Sequence, residues 1–182
     1  MIAKGDRTAF RKLQEYQRRS EAFKPGSSAT GAHSHEWSGV TFRLGNSHLA
    51  CNIDRIQEIL PLPIATPVPG AKPWILGLAN VRGSLMTVVD LGWYLGGGPT
   101  AITSRSRLLA AGPHKSPVGL LIDEVFGQRH FLNSDAQEAE LPEDSPLRGL
   151  VHNQHQLGNE FWQELDLEQL FKTTEFLNGA AT

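Results

Sequence analysis

Residues 74–91 read WILGLANVRGSLMTVVDL, and this stretch decides the fold. It holds two apolar segments broken at Arg82-Gly83-Ser84, the pattern of two antiparallel strands joined by a tight turn. Polar residues stand where the apolar run would otherwise be continuous. Asn80 is placed to bond the backbone within the turn. Arg82 is either an exposed turn residue or an arginine fixed at a hairpin tip, presenting a rigid fork of donors to a carboxylate or carbonyl. Asp90 ends the second segment and is expected to brace a turn.

The same texture continues on both sides. Upstream, Val40, Phe42 and Leu44 alternate with Thr41 and Arg43, and Gly45-Asn46 makes a turn. Leu49, Cys51 and Ile53 alternate next, followed by Ile56, Ile59 and Leu60. Glu58 interrupts this last run and reads as an edge-strand charge that blocks unwanted pairing. Pro61, Pro63, Pro67 and Pro69 make 61–73 an extended loop. Downstream, Leu95-Gly96-Gly97-Gly98-Pro99 is a stop. Leu108 to Ala111 and Val118 to Ile122 form a strand pair across Gly112-Pro113, and Val125 to Phe131 a strand bent at Gly127. A polar, acidic loop over 133–147 precedes a hairpin of 148–158 and 160–166 around Gly158-Asn159, and Leu167 to Phe176 reads as one short helix. Nine or ten short strands with few helices imply closed sheets, because long open edges invite aggregation.

The chain has 182 residues, a formal net charge of −2 and 40% hydrophobic residues, a globular composition. Eighteen glycines and eleven prolines make it turn often. The single cysteine, Cys51, excludes a disulfide framework and a cysteine-based zinc site and reads as inert core. No apolar run reaches the ~18 residues of a spanning helix, and no secretory signal stands at the N-terminus. A cytoplasmic protein is expected. Charge is unevenly placed. Residues 1–24 carry seven basic and three acidic side chains, while Asp135, Glu138, Glu140, Glu143 and Asp144 run without a base until Arg148. Ala9, Phe10, Leu13, Tyr16, Ser20 and Phe23 recur at helical spacing, so 1–24 is expected as an amphipathic helix. Residues 25–36 have linker composition. A domain is expected over 37–176 and a flexible tail over 177–182.

Catalytic templates fit poorly. There is no GxSxG, GxxxxGK[ST], HExxH or GxGxxG after a strand. Gly96-Gly97-Gly98 is followed by proline, which offers no N–H to a phosphate. His152 and His155 lie three apart on a segment that reads as strand, where odd spacings face opposite sides. Asp123-Glu124 alternate faces too, so Asp123 is expected to accept hydrogen bonds at a strand end. A small metal-dependent hydrolase built on the seven histidines stays open as an alternative, but no catalytic, cofactor or metal residue is assigned and no cofactor is expected.

The order of these motifs resembles a known family. FRLG, HLACNIDRIQEIL, the block from Gly77 to Leu91, RLLAA, VGLLIDEVFG, LRGLV and LDLEQLF together are similar to the CheW family of chemotaxis adaptors over about 37–172. The segment preceding the domain, the entry Trp37-Ser38-Gly39-Val40, and Asp123 to Gly127 running into His130-Phe131 resemble its PilI subgroup, the adaptors of twitching motility by type IV pili.

The resemblance implies an all-β fold of two interleaved, five-stranded SH3-like barrels around a shared apolar interior. It implies no catalysis. It implies binding to the cytoplasmic tip of a methyl-accepting chemoreceptor and to the regulatory domain of a CheA-type histidine kinase, at membrane-associated arrays; the net charge of −2 argues against nucleic acid as a partner, and the short apolar runs against membrane insertion. By position, Arg82 within Asn80-Val81-Arg82-Gly83 matches the family arginine tied to partner binding, and Ile56 and Glu58 match positions also implicated in contact. A scaffold relative of the kinase regulatory domain, without receptor contact, is the other reading of the same resemblance.

Overall fold

The computed structural model describes residues 36–112 and 116–180; the expected helix over 1–24 and the linker up to residue 35 lie outside them. The deciding stretch forms the expected hairpin. Strand β4 (Ile75–Val81) pairs antiparallel with β5 (Ser84–Asp90), with Val81 opposite Ser84. The two turn residues, Arg82 and Gly83, have φ of 51° and 84°. A two-residue loop with both φ positive matches the right-handed twist of its strands, and so joins them without splaying.

Among the described residues, eleven strands form two sheets. The first sheet has the order β8-β1-β2-β11-β10-β9, made of β1 (Glu36–Leu44), β2 (Ser47–Asn52), β8 (Glu124–Leu132), β9 (Ala136–Glu138), β10 (Val151–Leu157) and β11 (Glu160–Leu165). The second has the order β3-β6-β7-β5-β4, adding β3 (Ile56–Pro61), β6 (Arg107–Ala111) and β7 (Val118–Ile122). The chain therefore builds two strands of the first sheet, makes the whole second sheet, and returns. The first sheet gains a sixth strand because three residues of the acidic segment, Ala136–Glu138, pair with β10. Such a short polar strand carries no apolar alternation to announce it.

Both sheets curl on themselves. In the second, β3 and β4 are opposite edges. The proline-rich segment that continues β3 crosses to β4, where Thr66 and Leu78 exchange two backbone hydrogen bonds of 2.8 Å. Gly77 permits this approach. Its φ is 138°, and a Cβ there would land on the Thr66 carbonyl. In the first sheet, two strands, β2 and β11, lie between Trp37 of β1 and His155 of β10, yet their ring centroids are 5.6 Å apart.

Three apolar clusters follow from this geometry. Leu108, Ala110 and Leu121 fill the second barrel with Ala79, Met86 and Val88. Ala50, Phe131 and Trp162 fill the first, with Trp37 and Leu157 against them. The alternate residues of the same strands face the common core. Phe42, Leu49 and Cys51 of the first sheet meet Val89, Leu109, Leu120 and Ile122 of the second. Strand β7 is buried along its whole length, which explains its unbroken VGLLI.

Three local features differ from the sequence expectation. Ile53 sits in a 3-10 turn (Ile53–Arg55) capped by Asn52, not in the β2 alternation. A short helix α1 (Leu91–Tyr94) follows β5. Asp90 starts it by accepting the Trp93 N–H at 3.0 Å, and also accepts the N–H and hydroxyl of Thr100 at 2.8 and 2.6 Å. The expected bracing role of Asp90 is thus met twice over. The single C-terminal helix is two, α2 (Leu167–Lys172) and α3 (Thr174–Ala180), because Thr173 is extended at ψ 131°. Its hydroxyl donates to the Leu170 carbonyl at 2.8 Å and lies 2.9 Å from the Tyr94 hydroxyl. Leu167, Leu170 and Phe176 seal that end of the common core.

Candidate partner-binding surfaces

The hairpin tip collects four of the six residues singled out in the sequence. Asn80 accepts the Gly83 N–H through its side-chain oxygen at 2.9 Å, bracing the turn as expected. Gly83 supplies positive φ without strain. Arg82 does not: among the described residues it is the single non-glycine residue in the left-handed region, where an L-residue costs roughly 1–2 kcal/mol. Its side chain is 81% exposed, and one guanidinium nitrogen lies 2.5 Å from a carboxylate oxygen of Glu58, itself 29% exposed. The ion pair joins the tip of the β4–β5 hairpin to β3, across the barrel seam. Glu58 is therefore more than an edge-strand charge. Leu85, opposite Asn80 in the ladder, is 63% exposed, and Ile59 beside Glu58 is 40% exposed. An exposed arginine fork beside the exposed Leu85 suits a docking face.

The other two residues point elsewhere. Val81 packs against the interior of the second barrel. Ile56 is separated from Glu58 by a bulge: Ile56 lies opposite Ala111 and Glu58 opposite Ala110, leaving Gln57 as the extra residue. Ile56 accordingly packs on the common core. It also lines an open groove of about 620 Å³ with Gln57, Gly112, Leu167 and Phe171, rimmed by Asp54, Arg55, Glu168 and Lys172. No pattern along the chain signals this groove, whose walls come from segments more than a hundred residues apart. An ion pair between Arg55 and Glu168 crosses its end and separates it from a smaller polar cleft of about 320 Å³ beside His152 and Glu164.

The groups considered for chemistry are dispersed. Asp123 accepts the Gly45 N–H at 2.6 Å, holding the β1–β2 turn. His152 is exposed and His155 is buried, as their odd spacing on a strand requires. Among the described residues, no three His, Cys, Asp or Glu side chains come together as a metal site. Burial alone pushes the Cys51 thiol up to about 12, so it stays a neutral core group. What the described surface offers is a charged hairpin tip and a separate apolar groove, both suited to binding.

Comparison with known proteins agrees. The CheW-like domain family matches residues 38–175. The chain belongs to the CheW-like family. It is similar to the protein PilI of Pseudomonas aeruginosa, at 32% identity over 80% of this chain and 82% of that one. It is also similar to the protein FrzA of Myxococcus xanthus, at 31% identity over 64% of this chain and 69% of that one. The crystal structure of the scaffolding protein TtCheW from Thermoanaerobacter tengcongensis shares the fold, with a TM-score of 0.66 at 20% identity, covering 76% of this chain and 94% of that one. The CheW-like fold is that of paired SH3-like barrels, and CheW-like proteins are non-catalytic scaffolds of chemotaxis-like signal transduction. No helix among the described residues is long and apolar enough to cross a membrane.

Proposed function

We propose that this protein couples the cytoplasmic tip of a chemoreceptor to the regulatory domain of a CheA-type histidine kinase, in an array that controls twitching motility by type IV pili. Its place is the cytoplasmic face of the membrane that carries the receptor. The similarity to PilI supports the pilus output. The observation that carries the reading is Arg82, held at a hairpin tip in a backbone conformation that arginine disfavours. Backbone strain of this kind persists where the side chain has work to do. The bulge at Gln57 adds a second argument, because it puts Ile56 in one surface and Glu58 with Arg82 in another. An adaptor that holds two partners together needs two surfaces that do not overlap.

An adaptor speeds no reaction. It lowers the free energy of holding kinase near receptor, and relays a receptor change only where it binds the two receptor states unequally. Single contacts of roughly 1,200 Å² are weak, and repetition in an array raises their effective strength. The basic segment 1–24 adds a further binding element in this reading, and deletion of 1–30 should reduce complex formation. The main test is capture of the kinase regulatory domain and of a receptor-tip fragment by the full chain. Arg82→Ala and Ile56→Ala, which keeps the core apolar, are expected to lose at least one partner each while staying folded. Folded native protein that captures neither partner would refute the reading.

A further inference from the structure

The last two helices are bent against their own sequence pattern. Between Leu167 and Asn178 there is no glycine or proline, and the run reads as one helix. In one straight helix the nine steps from Leu167 to Phe176 turn their side chains about 180° apart. Both are nevertheless buried in the common core. The break at Thr173 makes this possible, since its φ of −65° and ψ of 131° end α2 and redirect α3. Few groups hold the bend. The N–H and hydroxyl of Thr173 both donate to the Leu170 carbonyl, at 3.2 and 2.8 Å, and the Tyr94 hydroxyl lies 2.9 Å from the Thr173 hydroxyl.

Through this bend the chain crosses from one barrel to the other. Strand β11, which leads into α2, belongs to the first sheet. Helix α3 lies against the second. The Phe176 ring packs edge-on to Tyr94 of α1 at 5.2 Å and to Phe171 of α2 at 5.4 Å, and Tyr94 meets Trp74 at 5.6 Å. Gly179 lets α3 settle on the start of β4, where a Cβ would come 3.0 Å from Trp74 Nε1 and 3.6 Å from Ile75 Cδ1. Phe176 is thus an aromatic plug joined to the body through one hinge residue.

Straightening the hinge gives a single helix over Leu167–Ala180, about 21 Å long, and carries Phe176 out of its box. A lone chain then has a phenylalanine in water and a box left unfilled, so the bent form holds. A second chain in the same state removes both penalties together, because the box is built to fit this same helix. The exchange is reciprocal, so it closes on a two-fold pair that keeps the contacts of α3 with Tyr94, Phe171 and β4.

We propose that α3 exchanges between two copies of this chain, the Phe176 of each copy seated between Tyr94 and Phe171 of the other. The inference does not rest on the adaptor reading and survives its failure. Within that reading, a pair carries two Arg82 tips on one body, which raises effective concentration at a repeated target.

Two substitutions at the hinge separate exchange from ordinary packing, since both remove the Thr173 hydroxyl. Thr173→Ala favours the straight helix. Thr173→Pro suits the observed φ and forbids the straight helix, because proline clashes in a helix interior. Sedimentation of the full chain over a range of concentrations reads the outcome. Thr173→Ala is expected to dimerise with an association constant about tenfold or more above wild type, from the gained helix propensity and lost hinge bonds of two chains. Thr173→Pro is expected to stay monomeric. Tyr94→Phe removes the other hydroxyl of the hinge and should act in the direction of Thr173→Ala; it decides the matter if the alanine variant does not fold. An equal mixture of isotopically labelled and unlabelled chains of the dimerising variant then shows where Phe176 sits, and its contacts with Tyr94 are expected between chains in filtered NOE spectra. Monomeric hinge variants, equal dimerisation of the alanine and proline variants, or a dimer whose Phe176–Tyr94 contact stays within each chain would each overturn the proposal.

Discussion

The two barrels share one fold but fill their interiors differently. The second is aliphatic: Ala79, Met86, Val88, Leu108, Ala110 and Leu121 are all buried, and a Cβ at Gly119 would land on Leu108 and come 2.9 Å from the Met86 sulfur. The first is aromatic. Trp37 stacks on Phe131 at 4.5 Å, His48 on Trp162 at 4.9 Å, and His155 lies 5.0 Å from the Phe131 ring. Two buried nitrogens there, Trp37 Nε1 and His155 Nδ1, have no hydrogen-bond partner among the described residues. An unpaired buried polar atom costs about 1–3 kcal/mol. The barrel that bears Arg82 and Glu58 is thus the one filled with aliphatic side chains, and its buried polar groups, Asp90 and Ser106, lie at strand ends with their hydrogen bonds made. The other barrel carries polar imperfections in its interior and none of the six residues singled out for partner contact.

The largest effect that would break this comparison comes from truncation inside the second barrel. Leu108 is fully buried, and Leu108→Ala is expected to cost about 2–5 kcal/mol in denaturant unfolding. The counterpart in the first barrel is His155→Phe. It removes an unpartnered nitrogen from between two rings and loses a 3.5 Å contact with Glu164. Its expected effect is within about 1 kcal/mol and of either sign, since lost contact and relieved desolvation oppose each other. Equal losses for the two variants would abolish the distinction drawn between the interiors.

The boundary between the barrels offers a pH test. Cys51 faces the common core, and its thiol is raised from 9.0 to about 12 by burial. The unfolded thiol ionises near 9 while the native one stays protonated, so above that pH the unfolded state holds fewer protons. The stability contributed is present in full below pH 9 and is lost as pH rises towards about 12. Stability measured from pH 8 upward should fall less in Cys51→Ala than in wild type. The native thiol should also resist a disulfide reagent at pH 9 until the chain unfolds. Rapid native labelling would mean that the two sheets part readily.

What could be read in the sequence was local. The hairpin at 74–91, the Asn80 bond to Gly83 and the bracing by Asp90 all lie within a few residues of their cause. So did the bend at Gly127, where the β1–β8 register shifts. What could not be read was pairing at a distance. Nothing in the run ILPLPIAT says that Thr66 meets Leu78, or that Glu58 meets Arg82 twenty-four residues on. The bulge at Gln57 depends on β6, and the groove on α2. The helix α1 is too short for a periodic signal, and Thr173 breaks the last helix through contacts with Tyr94 that only the fold creates.

The smallest stability effect tests the reading of the hairpin most directly. Two-residue turns with both φ positive favour Asn-Gly, and here Arg-Gly stands in that position. Arg82→Asn should relieve the backbone strain, since asparagine tolerates the left-handed region. It should also lose an ion pair whose arginine is 81% exposed, a contribution that solvent screening holds to roughly 0–1 kcal/mol. The two changes oppose each other, so stability should shift by less than about 1 kcal/mol, towards gain if anything. Partner capture should nonetheless fall, because the fork of donors is gone. That combination separates a residue kept for binding from one kept for folding. A loss of more than about 2 kcal/mol with Arg82→Asn, well beyond a surface pair, would make the Glu58–Arg82 bond a structural clasp of the barrel seam. The strained arginine would then have its explanation within the fold, and the hairpin tip would no longer stand out as a docking surface.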